Sequence, residues 1–232
     1  MLNGITIRKR SVSASCFDRG LNFYRLFWIF FYGCFLGVVV ETLWCLITRG
    51  HYESRVGLVY GPFNLVYGFG ALVMTLGLHW AEKKRDGWIF FGGMLLGSAF
   101  EYACSWFQEA VFGTVSWQYD QLPLNLNGRI NLLYSVFWGV LAVVWVKDLY
   151  PRMCRWMKRI PNRVAKPLTW VLLVFMIVNT LVSGAAAARM SARYRNIPAQ
   201  NAVEEYFDRH YGDERMHKLF PNLVFVEQTP AA

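Results

Sequence analysis

Two carboxylates lie where a carboxylate is costly. Glu41 and Glu101 each close an otherwise apolar run, Gly33-Cys-Phe-Leu-Gly37-Val-Val-Val-Glu41 and Gly93-Met-Leu-Leu-Gly97-Ser-Ala-Phe-Glu101. Both runs read G-x-x-L-G-x-x-x-E. A spacing of four residues puts each Gly-Gly-Glu set on one helix face. Small residues let two helix backbones approach closely in a bilayer, so Gly33, Gly37, Gly93 and Gly97 are the candidate packing positions. An acid in such a helix needs a partner, water or a task. Either the pair binds a cation, a proton or a polar substrate group, or each Glu ties two helices together by hydrogen bonds. The residues leave both readings open. If the two acids lie close, like charge makes them share a proton.

A second pair of motifs follows the first. Gly61-Pro-Phe-Asn64-Leu-Val-Tyr67 and Gly128-Arg-Ile-Asn131-Leu-Leu-Tyr134 both read G-x-x-N-L-x-Y. Each opens the apolar run that returns after a Glu. Asn64 and Asn131 fall at a depth similar to the acids, and Tyr67 and Tyr134 one turn further in. With Arg129, these are the candidate partners of Glu41 and Glu101. Glu109, near the end of its run, reads as solvated.

The elements that must position these residues are long and apolar. A helix needs about 20 apolar residues to cross the hydrocarbon. Runs at 26–47, 62–80, 88–111, 130–146 and 167–188 are the five candidates. The predicted fold is all-α: a polytopic membrane bundle of about five transmembrane helices. Repeat one spans 26–80 and repeat two 88–146, and the fifth helix is 167–188. The first and third runs share a direction, as do the second and fourth. The hairpins are therefore parallel repeats about an axis along the membrane normal.

Composition agrees. Of 232 residues 55% are hydrophobic and only 17% charged, with mean hydropathy +0.26. A soluble domain carries about a quarter charged residues. The aromatic share of 17% suits helices anchored at membrane interfaces. The net charge of +9 does not indicate nucleic acid, because the basic residues sit in short loops beside apolar runs.

Those loops set the orientation. Arg8, Lys9, Arg10, Arg19 and Arg25 precede the first run, and Lys83, Lys84 and Arg85 follow the second. Lys147, Arg152, Arg155, Lys158, Arg159, Arg163 and Lys166 follow the fourth. The opposite loops hold Arg49, Arg55 and Arg129. The positive side is cytoplasmic, so segment 1–25 is inside and the tail, 189–232, is outside. Arg189, Arg193 and Arg195 argue mildly the other way. Within the tail, 198–211 reads as an amphipathic helix with Val203, Tyr206, Phe207 and His210 on one face. A second short helix follows Gly212.

Enzymatic signatures are missing. There is no P-loop, H-E-x-x-H or nucleophile elbow. Five cysteines include no CxxC and no Cys/His pair at metal spacing, so no metal and no cofactor is expected. They read as reduced thiols that pack as small apolar groups.

Glu41-Thr-Leu-Trp44, the run from Leu58 through Gly61-Pro62 to Tyr67-Gly68-Phe-Gly70, and Gly128-Arg129-Ile-Asn131-Leu together resemble the bacterial ABC-transporter type IV, or CmpB-like, permease family. Pro198, Asn201 and Phe220-Pro221-Asn222 in the tail resemble it too. The resemblance covers nearly the whole chain from the first run onward. It implies a multi-pass inner-membrane permease that is not itself an enzyme. Since the chain has no ATPase domain, it implies a separate ATPase subunit docking on cytoplasmic loops. The bilayer is the first partner. Four helices are few for a pathway, which makes a homodimer the arrangement to look for. The alternative is a non-transporting scaffold for envelope assembly or signalling, whose outer tail binds a partner.

Overall fold

Apolar helices in a bilayer must satisfy their own backbone, and the architecture follows from that demand. A computed structural model describes residues 15–17 and 20–226. Of the basic N-terminal residues, Arg8, Lys9, Arg10 and Arg19 lie outside the described residues. The helices are α1 (Phe23–Arg49), α2 (Leu65–Gly77), α3 (Asp86–Phe112), α4 (Leu132–Met157), α5 (Asn162–Tyr194), α6 (Ala202–His210) and α7 (Asp213–Leu219).

Three helices, α1, α4 and α5, are long and apolar enough to cross a membrane. The run at 62–80 folds differently from its reading as one crossing helix. Its helix, α2, has 13 residues, about 20 Å of rise against a hydrocarbon core of about 30 Å. A short 3-10 turn, His79–Ala81, extends it at one end. α3 matches α1 at 27 residues, but Glu101, Glu109 and its glycines lower its apolarity.

The fourth run also differs. Its helix does not stop near Val146 but continues to Met157 through a π-helical turn, Trp145–Leu149. Pro151 supplies the reason: it has no N–H to give to the preceding turn, and the ladder widens before it. Lys147, Arg152 and Arg155 are therefore helical, and the connection to α5 is short. Lys147 donates to the Lys84 carbonyl at 3.0 Å, which gathers that end of the bundle.

α1 packs tightly on α2, and α3 on α4. In α1, a Cβ on Gly33 would lie 2.9 Å from Ala71 Cβ, and one on Gly37 would run into the Tyr67 ring. In α3, a Cβ on Gly93 would strike Ala142, and one on Gly97 would lie 2.5 Å from the Trp138 ring. The register differs between the two contacts. Ala71 and Trp138 both stand seven residues past their Asn. Ala71 rests on the first glycine of its face, and Trp138 on the second.

The chain between α1 and α2 does not stay at the helix ends. After Gly50 it turns back along α1, and the Asn64 N–H reaches the Cys34 carbonyl at 3.0 Å. Cys34 lies about 22 Å of helical rise back from Arg49. Residues 53–64 are thus re-entrant: irregular backbone beside the middle of a spanning helix. The Tyr60 N–H donates to Asn179 Oδ1 at 3.2 Å, and Asn179 Nδ2 donates to the Tyr60 carbonyl at 2.7 Å. The Val59 N–H donates to Ser183 Oγ at 2.9 Å. Asn179 and Ser183, one turn apart on α5, replace the water such backbone would otherwise need.

The tail packs over this end. Val59, Ala186, Met190, Tyr211 and Met216 form a small core. The Tyr60 and Tyr211 hydroxyls are 2.6 Å apart, and Ser54 Oγ donates to the Leu219 carbonyl. A two-residue strand, Val224–Phe225, pairs antiparallel with Thr114–Val115. Arg189 holds both oxygens of Asp208, and Arg193 adds Asp208 and Asp213. The hydrogen bonds from Arg189, and then Arg193, hold the Asp208 carboxyl below its ordinary value although burial opposes this. Phe207 turns inward on α6, while Val203 and Tyr206 are exposed.

Overpacking a tight helix contact costs about 1–3 kcal/mol. Gly37→Ala and Gly97→Ala should each lower the unfolding temperature of detergent-purified protein, whereas Gly184→Ala, whose new methyl meets nothing within 4 Å, should not. Equal effects at all three would contradict the contact. The depressed Asp208 pKa stabilises the tail fully above its unfolded value of about 3.9 and is lost as pH falls toward the folded value. Pepsin cleavage in the tail should therefore rise as pH drops below about 4, and Asp208→Asn should raise it already at about pH 5.

Candidate polar site

The two G-x-x-N-L-x-Y motifs take one local form. Gly61 and Gly128 have φ of +72° and +64°, the left-handed region that glycine enters freely. Asn64 and Asn131 then cap the returning helices, accepting from the N–H of Val66 at 3.0 Å and of Leu133 at 2.8 Å. Each Asn also donates back to the connecting segment: Asn64 to the Arg55 carbonyl at 3.2 Å, Asn131 to the Pro123 carbonyl at 2.6 Å. Both side chains are consumed in shaping backbone, and neither bonds to Glu41 or Glu101.

Glu41 sits in a charged cluster that the re-entrant segment brings to it. Its Oε1 lies 3.3 Å from Arg55 Nη1. Among the described residues its Oε2, which is buried, has no hydrogen-bond partner. Arg55 also pairs with Glu53 at 3.1 Å, and Arg49 holds the same Glu53 oxygen at 2.6 Å. The Cys45 thiol completes the cluster, 3.3 Å from Glu53 Oε2 and 3.5 Å from Arg55 Nη2. The Glu41 side chain is 33% exposed, those of Arg55 and Glu53 half as much or less. Tyr67 covers the helix one turn below, its ring over Gly37.

Glu101 is treated differently. Tyr119 Oη donates to Oε1 and Trp138 Nε1 to Oε2, both at 2.8 Å, and the residue is 8% exposed. Tyr134 stacks on Tyr119 at 4.7 Å and so steadies that donor. Ser98 and Ser135 join α3 to α4 one turn away, at 2.7 Å. Arg129 is engaged elsewhere. It pairs with Glu109 and Ser105 and lies over the Tyr102 ring, so Glu109 is an ion-pair partner rather than a solvated acid. Among the described residues no hydrogen bond or ion pair joins Glu41 to Glu101, and each acid has its own surroundings.

Among the described residues no group of three His, Cys, Asp or Glu is arranged to hold a metal ion. Five residues that matter here escape the motif reading. Arg55 counts in the sequence as a loop charge, and Tyr119 and Trp138 as interface aromatics. Asn179 and Ser183 did carry a signal: two polar residues one turn apart in an apolar run.

Long apolar helices and a polar cluster between them define a multi-pass α-helical membrane protein. A family model described as Putative ABC-transporter type IV matches residues 28–184, and the chain belongs to that family. It is thus a membrane protein of a transport-related family. No curated protein and no solved structure matches the chain.

The two acids predict different losses. Glu101→Leu leaves the Tyr119 hydroxyl and the Trp138 N–H buried without an acceptor, at about 1–3 kcal/mol each. Glu41→Gln removes one longer contact of a half-buried group and should cost under about 1 kcal/mol. Thermal unfolding of the purified variants checks this, and comparable losses would contradict the distinction.

Proposed function

We propose that the chain is a permease-like, transport-related subunit of the bacterial inner membrane, with a polar site near the outer leaflet built on Glu41 and Arg55. The carrying observation is the Glu41 carboxylate: one oxygen on a guanidinium, the other without a donor. Family membership supports the transport setting. Glu101, with both oxygens capped, acts in this reading as an interhelical tie. The chain is not an enzyme.

The topology belongs to the same reading. The chain crosses five times, with α2 and the re-entrant segment together making the second crossing. The N-terminus is cytoplasmic and the tail outside. The ion pairs of Arg189 and Arg193 with Asp208, Glu204 and Asp213 favour this, since they offset the basic residues that follow the last span. The two hairpins are parallel repeats around a pseudo-two-fold axis, supported by the matching Gly and Asn geometry. A separate ATPase docks on the cytoplasmic face, where the helical extension of α4 carries Arg152 and Arg155, and a homodimer completes the pathway.

Affinity purification of the tagged protein from native membranes in mild detergent tests the proposal. A stoichiometric ATPase is expected, and Glu41→Gln should abolish the activity of that complex without reducing its yield. Recovery alone, or with envelope proteins and no ATPase, would overturn the permease reading in favour of a scaffold.

A further inference from the structure

The re-entrant segment carries Arg55, and Arg55 is the cation beside Glu41. Whatever holds the segment therefore sets the site. The segment has no helix or sheet ladder of its own, and its deepest part is held by three kinds of contact. Gly57 and Leu58 donate to the Phe63 carbonyl, which closes a tight internal turn. Asn64 ties it to α1 and, through the Arg55 carbonyl, to itself. Asn179 and Ser183 hold Val59 and Tyr60 from α5.

The third contact stands apart from the others. Asn179 imitates the edge of a strand, taking the N–H and giving to the C=O of one residue. It is buried, and Ser183 is spent on Asn179 too, donating to its carbonyl at 2.7 Å. An asparagine in an apolar helix is expensive unless it is satisfied. Here its donor and acceptor toward the segment both go to the backbone of a single residue, Tyr60. The Tyr60 side chain meanwhile reaches the tail through Tyr211. Burial, then the Tyr60 hydroxyl, push the Tyr211 phenol up to about 12, so Tyr211 stays neutral across physiological pH.

We propose that Asn179, supported by Ser183, is a positioning residue that clamps the 53–64 segment shut over the Glu41–Arg55 pair, and that releasing the clamp opens the pair toward the outside. α5 is then the helix that governs access to the site. This rests on the reading of Glu41 and Arg55 as the polar site, but it concerns the exposure of that place, which can be measured without any substrate.

Cys45 is a built-in reporter. Its thiol is buried beneath the segment against Glu53 and Arg55. Cys104, on α3 near Glu101, is an internal control in the other hairpin. The full-length protein in lipid nanodiscs is alkylated with a small maleimide for timed intervals. Peptide mass spectrometry then gives the labelled fraction at each native cysteine. Asn179→Ala should raise the labelling rate of Cys45 at least about tenfold and leave that of Cys104 unchanged. Ser183→Ala, which keeps Asn179, should raise it by a smaller factor of about three, and serves if the first variant does not fold. Tyr211→Phe, which removes only the contact to the tail, should leave it within about twofold. An unchanged Cys45 rate in folded Asn179→Ala or Ser183→Ala protein would overturn the clamp. So would a parallel rise at Cys45 and Cys104, which marks general loosening. Loss of the transport reading through the absence of an ATPase would leave this result standing.

Discussion

Backbone that is not helical cannot sit among apolar helices unless protein groups hydrogen-bond it. That constraint organises this molecule. Residues 53–64 leave the helix ends and run beside the middle of α1, and their peptide groups must be met there. Asn64, Asn179, Ser183 and the Cys34 carbonyl meet them. The shortness of α2 follows, since a chain that re-enters to mid-depth before turning helical has only half the span left. So does the charged cluster. Arg55 reaches Glu41 because Asn64 holds its carbonyl and Asn179 holds the stretch beyond it.

The same sequence motif yields two chemically different surroundings, and the cause is steric. In the first hairpin the small Ala71 lies on Gly33, and Tyr67 fills the space over Gly37. In the second, Trp138 occupies the matching place in its helix and lies on Gly97, which moves the contact by one turn. That move carries the indole N–H to Glu101. Glu101 is thereby capped by neutral donors, whereas Glu41 faces a cation and keeps a bare oxygen. One carboxylate is held by neutral donors within the helix packing, and its counterpart belongs to a cluster of ion pairs.

Much of this was legible in the residues. The small-residue faces, the Asn-capped helix starts and the two acids are all local patterns with a fixed physical meaning, and the family resemblance rested on them. The partners of the acids were not legible. Arg55 and Tyr119 reach their acids on non-helical backbone, about which periodicity carries no information, and Trp138 reaches Glu101 through a helix register that spacing alone does not fix. Hydropathy likewise counted 62–80 as one crossing helix, because Pro62, Phe63 and the apolar residues around them look the same in a helix or a re-entrant turn. The extension of α4 past Val146 was hidden by its charges, which read as loop but are carried on a helix.

The central claim is that residues 57–64 are hydrogen-bonded at depth and are not a surface loop. Hydrogen exchange of the full-length protein in lipid nanodiscs, read by mass spectrometry, tests it directly. The account predicts that peptides covering Val59, Tyr60 and Asn64 exchange orders of magnitude more slowly than His51 and Tyr52, close to the rate of α1 itself. Exchange of 57–64 as fast as at His51 and Tyr52 would contradict it.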